Sequence, residues 1–143
     1  MNAQQIAEAA SASMHAQDYC AQTLNMTVDE IAPGSATVSM VATKQYANGH
    51  GFCQGGIVTT LADTAFAHAC NSYNRLTVAQ GLNIEFVRPA LIGEKLSAVA
   101  SEQSRGKLTG IYQVKVFNPQ QKLVAIMSGK SFEHGDPIVE SSN

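Results

Sequence analysis

Charge is what this chain has least of. Only 14% of its 143 residues are Asp, Glu, Lys or Arg, against about 25% in an ordinary soluble domain. Nine Lys and Arg against eleven Asp and Glu leave a net charge of -2. That balance argues against nucleic acid as the main partner, because phosphate binding needs clustered cations. The first 43 residues hold no Lys or Arg, so neither a secretory n-region nor an Arg-rich transit peptide is expected. Long apolar runs are missing too. The longest candidate, Gly55 to Cys70, is interrupted by Thr59, Thr60, Asp63, Thr64 and His68, far short of the ~18 apolar residues of a membrane span. Cysteine is sparse, odd in number and irregularly spaced (Cys20, Cys53, Cys70). That fits a reducing compartment, and the cytoplasm is the expected location. A surface so poor in charge also hints that part of it meets protein rather than water.

The length suits one domain over residues 1–143, with no repeat, linker or low-complexity tract. Residues 3–19 read as a helix with a thin apolar stripe, so it belongs on the outside of the fold. Leu24, Met26 and Val28 alternate with polar residues, Pro33-Gly34 turns the chain, and Ala36, Val38, Met40 and Ala42 alternate again. A glycine-spotted loop runs from Tyr46 to Gln54. From Gly55, apolar residues cover nearly every side of a helix of about 16 residues, which predicts a buried helix. Four strand-like runs follow: Thr77 to Arg88, Lys95 to Gln103, Thr109 to Phe117 and Val124 to Phe132. Their short connections favour antiparallel neighbours. The fold class is therefore α+β, a curled antiparallel sheet of five to six strands around a long central helix. The tail, 134–143, reads as polar and frayed.

Two features of the central helix point to chemistry. Gly55-Gly56 opens it, and a glycine pair there implies that something approaches the backbone closely. The unpaired N–H groups and the positive helix end suit a carbonyl oxygen gaining negative charge; tight packing or a flexible loop end is the plainer explanation. Asp63 is a lone carboxylate on the most apolar helix of the chain, sharing a face with Thr59, Thr60, Phe66, Ala67 and Cys70. It must find donors, take up a proton or face a cavity; a structural Asp bonded to Ser, Thr or backbone is the plainer alternative. The two features are eight residues apart, or about 12 Å along the helix. A base must come within ~3.5 Å of the carbon whose oxygen is polarised. Either they are unrelated, or Asp63 serves the helix N-terminus of a second copy, which predicts an obligate symmetric dimer.

The run NGHGFCQGG followed by LADTAFAHACNS resembles the hotdog-fold acyl-CoA thioesterases of the phenylacetate-degradation (PaaI) type. Leu82-Asn83-Ile84-Glu85-Phe86-Val87-Arg88-Pro89 and Gly129-Lys130 are similar as well. The resemblance implies that Asp63 is the general base or nucleophile, that Gly55 offers its N–H to the thioester carbonyl, and that Asn48 orients the water or thioester. It also implies a site shared across a homodimer, dimers pairing into tetramers, acyl-CoA as substrate, and neither a metal nor a bound cofactor beyond the coenzyme A the substrate carries. Many members have His where this chain has Gln54, and Gln cannot hold a proton at pH 7, which leaves Gln54 a positioning role. Ala79 stands where some relatives carry Ser or Thr.

Candidate substrate contacts are His50, Gln54, Gly56, Phe66 and Tyr46, with Phe52 and Tyr73 as further aromatic walls. Arg88 and Lys130, and behind them Arg105 and Lys107, are candidates for the phosphates of coenzyme A. His68 reads as a core or interface residue. A zinc or thiol site at Cys53 and His50 is disfavoured, since no C-x-x-C pair accompanies them. Two other functions remain open: a non-hydrolytic acyl-CoA-binding regulator, and a dehydratase on 3-hydroxyacyl thioesters, for which Gln54 is poorly suited.

Overall fold

The computed structural model describes residues 1–140. Asn2 opens α1 (Ala3–Gln17): its side chain accepts the Gln5 N–H while the Gln5 side chain accepts the Asn2 N–H, a reciprocal cap. The helix expected to reach residue 19 stops at Gln17. Asp18 interrupts it and caps α2 (Tyr19–Thr23), accepting the Ala21 N–H at 2.9 Å. Leu24 and Met26, expected in the first strand, precede it. Asn25 between them takes a left-handed φ of 54°, which breaks an extended run, and both flanking side chains turn into the core.

β1 (Thr27–Ala32) and β2 (Ser35–Val41) form the hairpin about Pro33-Gly34. After α3 (Gly55–Cys70) come β3 (Thr77–Phe86), β4 (Lys95–Arg105), β5 (Thr109–Phe117) and β6 (Leu123–Glu133). The strands form one sheet in the order β1-β2-β4-β5-β6-β3, antiparallel throughout. The sheet curls around α3, whose core partners include Val38, Leu96, Ala98, Tyr112, Val114 and Met127. Helix and sheet approach tightly at Gly129, where a Cβ would lie 2.7 Å from the Phe66 ring. Only glycine lets that ring settle on β6. Burying a Phe fully is worth about 1.5–3 kcal/mol, so Phe66, 1% exposed, is a structural anchor.

The central helix is not covered all round, contrary to expectation. Gly56 is exposed, and Thr60, Asp63, Thr64 and Ala67 are half-buried along one stripe. Beside that stripe, edge strand β3 leaves Val78, Leu82 and Phe86 44–53% exposed. The opposite edge is blunted, since α1 packs on β1 and Gln4 Nε2 donates to Ile31 O at 2.7 Å. The expected frayed tail is in part tied down. Asn74 Oδ1 accepts the Ile138 and Val139 N–H groups, and its Nδ2 donates to Val139 O. Residues 141–143 of that tail lie outside the described residues.

His68 joins α1 to α3. Its Nδ1 lies 2.7 Å from Ser11 Oγ, and its ring is 1% exposed. Burial, aided by the neighbouring His15, pulls the imidazole down to about 4, with Asp18 acting in the opposite sense. A depressed histidine stabilises the fold fully above its unfolded value of about 6.5 and loses that contribution as pH falls towards 4. Urea denaturation of the wild type should therefore show a loss of roughly 3 kcal/mol from this group between pH 6.5 and pH 4. In His68→Gln the pH dependence over the same window should be shallower by about that amount.

Candidate active site

The loop before α3 is organised by Asn48. Its N–H donates to Phe52 O at 2.7 Å, and its Oδ1 accepts from the N–H groups of His50 (2.9 Å) and Phe52 (3.1 Å). The loop is then pinned at both ends of its exit: Cys53 N–H donates to Ala90 O and Gln54 N–H to Tyr46 O. Gln54 takes the N-cap position of α3, but its side chain caps nothing. Its carbonyl accepts from the N–H groups of Ile57 and Val58. Among the described residues, no acceptor meets the N–H of Gly55 or Gly56. The helix start therefore carries free donors and the positive end of the dipole.

A cleft of about 280 Å³ opens at that point, lined by Asn48, Phe52, Cys53, Gly55, Phe86 and Arg88 among others. The ring of Phe86 reaches within 3.1 Å of where a Gly55 Cβ would stand, so a side chain at this position would press on that ring. Arg88 is held at the rim by a 2.8 Å hydrogen bond from Nη1 to Leu123 O. Cys53 is buried, and burial pushes its thiol up, the wrong direction for a thiolate nucleophile.

Asp63 lies two turns along α3. The hydroxyls beside it are spent on the helix backbone: Thr59 donates to Gly55 O, Thr60 to Gly56 O and Thr64 to Thr60 O, each at 2.8 Å. No hydrogen bond or ion pair to the Asp63 carboxylate occurs among the described residues. The structural alternative, a carboxylate satisfied by Ser, Thr or backbone, is therefore not what the chain builds. Partial burial raises the Asp63 carboxyl above its ordinary value of 3.8, and the Asp18 carboxylate raises it further.

The structure brings Asn48, Gly55 and Arg88 to one cleft, with Gln54 and Gly56 beside it. His50 sits exposed on the same loop. Four expected contacts are placed elsewhere. Phe66 is buried under Gly129, where the helix meets the sheet. Tyr46 packs against the core. Tyr73 donates to Glu102 Oε1 at 2.7 Å and lies under the Arg105 guanidinium. Lys130 follows inward-facing Gly129 on β6 and so projects from the outer face of the sheet. Arg105 is also committed, pairing with Glu133 at 2.9 Å. Sequence reasoning missed Phe86 and Asp18 as site neighbours. Phe86 ends a strand just before the Val87-Arg88-Pro89 segment, a signal of position but not of direction; nothing in the sequence relates Asp18 to Asp63.

Asp18 offers a direct check on the Asp63 environment. Asn caps a helix as well as Asp does, so Asp18→Asn removes the charge and keeps the Ala21 contact. If Asp63 works ionised, activity falls as pH drops through its pKa. The acid limb of the kcat/KM profile should lie above pH 3.8, the ordinary carboxyl value, and should move to lower pH in Asp18→Asn.

Comparison with known proteins agrees with this geometry. The family described as the thioesterase superfamily matches residues 50–125, from the loop through the start of β6. The acyl-coenzyme A thioesterase PaaI of Escherichia coli K12 is 43% identical over 126 residues, 88% of this chain and 90% of that protein. A putative esterase of Archaeoglobus fulgidus is 37% identical over 138 residues, 96% of this chain and 90% of that one. The structure of the E. coli PaaI protein from the phenylacetic acid degradation operon superposes with a TM-score of 0.93 at 40% identity, covering 95% of this chain and 99% of that one. With its curled six-stranded sheet, central helix and matched loop-to-helix segment, the chain belongs to the thioesterase superfamily and has the hotdog fold.

Proposed function

We propose that the protein hydrolyses acyl-CoA thioesters to a carboxylic acid and free coenzyme A, at sites each built from two copies of the chain. The observation that carries this reading is the pairing, on one helix, of free N–H donors at Gly55 with a donor-less carboxylate at Asp63 on the uncovered stripe. The kinship with acyl-CoA thioesterases supports it. The thioester carbonyl docks on the Gly55 N–H, which strengthens its hold as the oxygen gains charge. Asp63 of the partner subunit takes a proton from water, whose oxygen attacks the carbonyl carbon. The tetrahedral adduct collapses, the C–S bond breaks, and the thiolate of coenzyme A leaves and takes up a proton. Asn48, with its Oδ1 engaged in the loop, has its Nδ2 to orient the thioester or the water. These groups suffice for the chemistry, and coenzyme A enters as part of the substrate.

Two unsatisfied surfaces support the dimer. β3 is an edge strand whose outer hydrogen-bonding groups, past Thr77, which Asn71 holds, meet no partner among the described residues, and it lies beside the open stripe of α3. Two-fold pairing of β3 with its copy would cover Val78 and Leu82 and set the two central helices side by side, antiparallel. Pairing of dimers into tetramers, a cytoplasmic location and an acyl group that is phenylacetyl or a related aromatic or medium-chain one complete the reading. Arg88, at the cleft rim, is the cation best placed for a phosphate of coenzyme A.

Gly55 is the first residue of α3, where Pro is well tolerated, and Gln54, with ψ of 137°, suits a following Pro. Gly55→Pro therefore deletes the N–H while keeping the helix, and it should lower kcat by about 10²–10³. Gly55→Ala, which adds the same Cβ against Phe86 and keeps the donor, should lose markedly less. Asp63→Asn should remove most turnover in a thiol-release assay and remain a folded oligomer; retention of more than about a tenth of wild-type activity would remove Asp63 from the mechanism.

The shared site has its own test. Unfolding and refolding a 1:1 mixture of Asp63→Asn and Gly55→Pro chains makes mixed dimers carrying one intact site. Random pairing should restore about a quarter of wild-type activity, whereas a site confined to one chain would restore none.

A further inference from the structure

Phe86 ends edge strand β3 with about half of its surface open, 53% exposed. Its other side is engaged. Cζ and both Cε atoms lie 3.1–3.5 Å from the position of a Cβ on Gly55, so the ring is seated tip-first on the residue whose N–H begins the central helix. The strand end that carries the ring is also fixed. Phe86 pairs with Ala125 on β6, and the N–H groups of Val87 and Arg88 both donate to Val124 O, at 2.8 and 3.2 Å. The Arg88 guanidinium adds a third tie to the same strand, at Leu123 O. A ring held this way is placed before any ligand arrives, which lowers the ordering cost of binding.

The cleft it walls is mostly apolar, and within one chain it measures about 280 Å³. Phe52, Val58, Val87 and Pro89 line it together with Phe86. A carbonyl docked at Gly55 thus places the adjoining acyl group beside the free face of the Phe86 ring. That flat apolar face suits a ring, since paired aromatics gain beyond their buried area in offset or edge-to-face contact.

We propose that Phe86 is the specificity-determining residue of this site: its tip is seated against Gly55, and its open face selects ring-bearing acyl groups. This rests on the thioesterase reading of the Gly55 cleft and adds to it how the acyl group is chosen.

The test compares phenylacetyl-CoA with acetyl-CoA, which has no group to meet the ring, in wild type, Phe86→Leu and Phe86→Ala. Phe86→Leu keeps apolar bulk against Gly55 and removes the flat face. Its kcat/KM for phenylacetyl-CoA should fall roughly three- to tenfold more than for acetyl-CoA, with the extra loss in KM. Phe86→Ala should show the same shift in ratio. Size-exclusion chromatography of each variant verifies the oligomer, and the Leu variant carries the test if Ala loosens it. An unchanged substrate ratio in Phe86→Leu, with wild type active, would overturn the role of Phe86 alone. Wild type releasing thiol from neither substrate would overturn the thioesterase reading, and the Phe86 role with it.

Discussion

An α-helix rises 1.5 Å per residue, and most of this protein's design follows from that pitch acting on one helix. Gly55 and Asp63 stand about 12 Å apart on α3, so a carbonyl held at the free N–H and a water held at the carboxylate cannot meet within one chain. The helix is packed accordingly. Val58, Leu61, Ala62, Ala65, Phe66 and Ala69 bury it against the sheet, and the remaining stripe carries Asp63 into open space beside an unfinished sheet edge. The incomplete burial of α3 and the exposed Val78 and Leu82 of β3 fit the two-fold pairing proposed above.

The polar groups around the site are arranged by exclusion. Three threonine hydroxyls on α3 fold back onto its carbonyls, so the neighbours best placed to satisfy Asp63 are unavailable to it. Gln54 leaves the helix start uncapped, and Asn48 spends its carbonyl oxygen on the loop rather than on that helix start. The helix start and the Asp63 carboxylate are thereby each left without a hydrogen bond that would have stabilised the chain. Free donors at one end and a raised carboxyl at the other are what catalysis requires. Stability is recovered away from the site, through the Ser11–His68 contact, the Asn74 clamp on the C-terminal segment, and the fit of Phe66 over Gly129.

Much of this was legible in the residues. The helix over Gly55–Cys70 and the four later strands lie close to where periodicity and turn residues put them, because local pattern and tertiary packing agree there. The shared-site expectation came from counting alone. What failed did so where a side chain's surroundings override its type. Asp18 broke a helix that composition would have continued, and Asn25 took a left-handed turn inside an alternating run. Phe66 and Tyr46 have the aromatic character of a substrate wall, yet one is the helix's anchor to the sheet and the other packs on the core. Lys130 faces away from the cleft because strand parity, fixed by its neighbour Gly129, points it outward.

The scarcity of charge also gains a meaning, in the uncovered stripe and in an edge strand that carries Val78, Leu82 and Phe86 rather than the charges that usually guard such an edge. By itself the sequence determined the elements, the catalytic candidates on α3 and the distance between them, since each depends on residue type and on spacing along the chain. Only the tertiary structure decided that β3 is the sheet edge beside the open stripe, that Phe86 is seated on Gly55, and that Asp63 meets no donor among the described residues. Those are contacts between segments far apart in sequence, settled by how the sheet curls and which side chains fill it first.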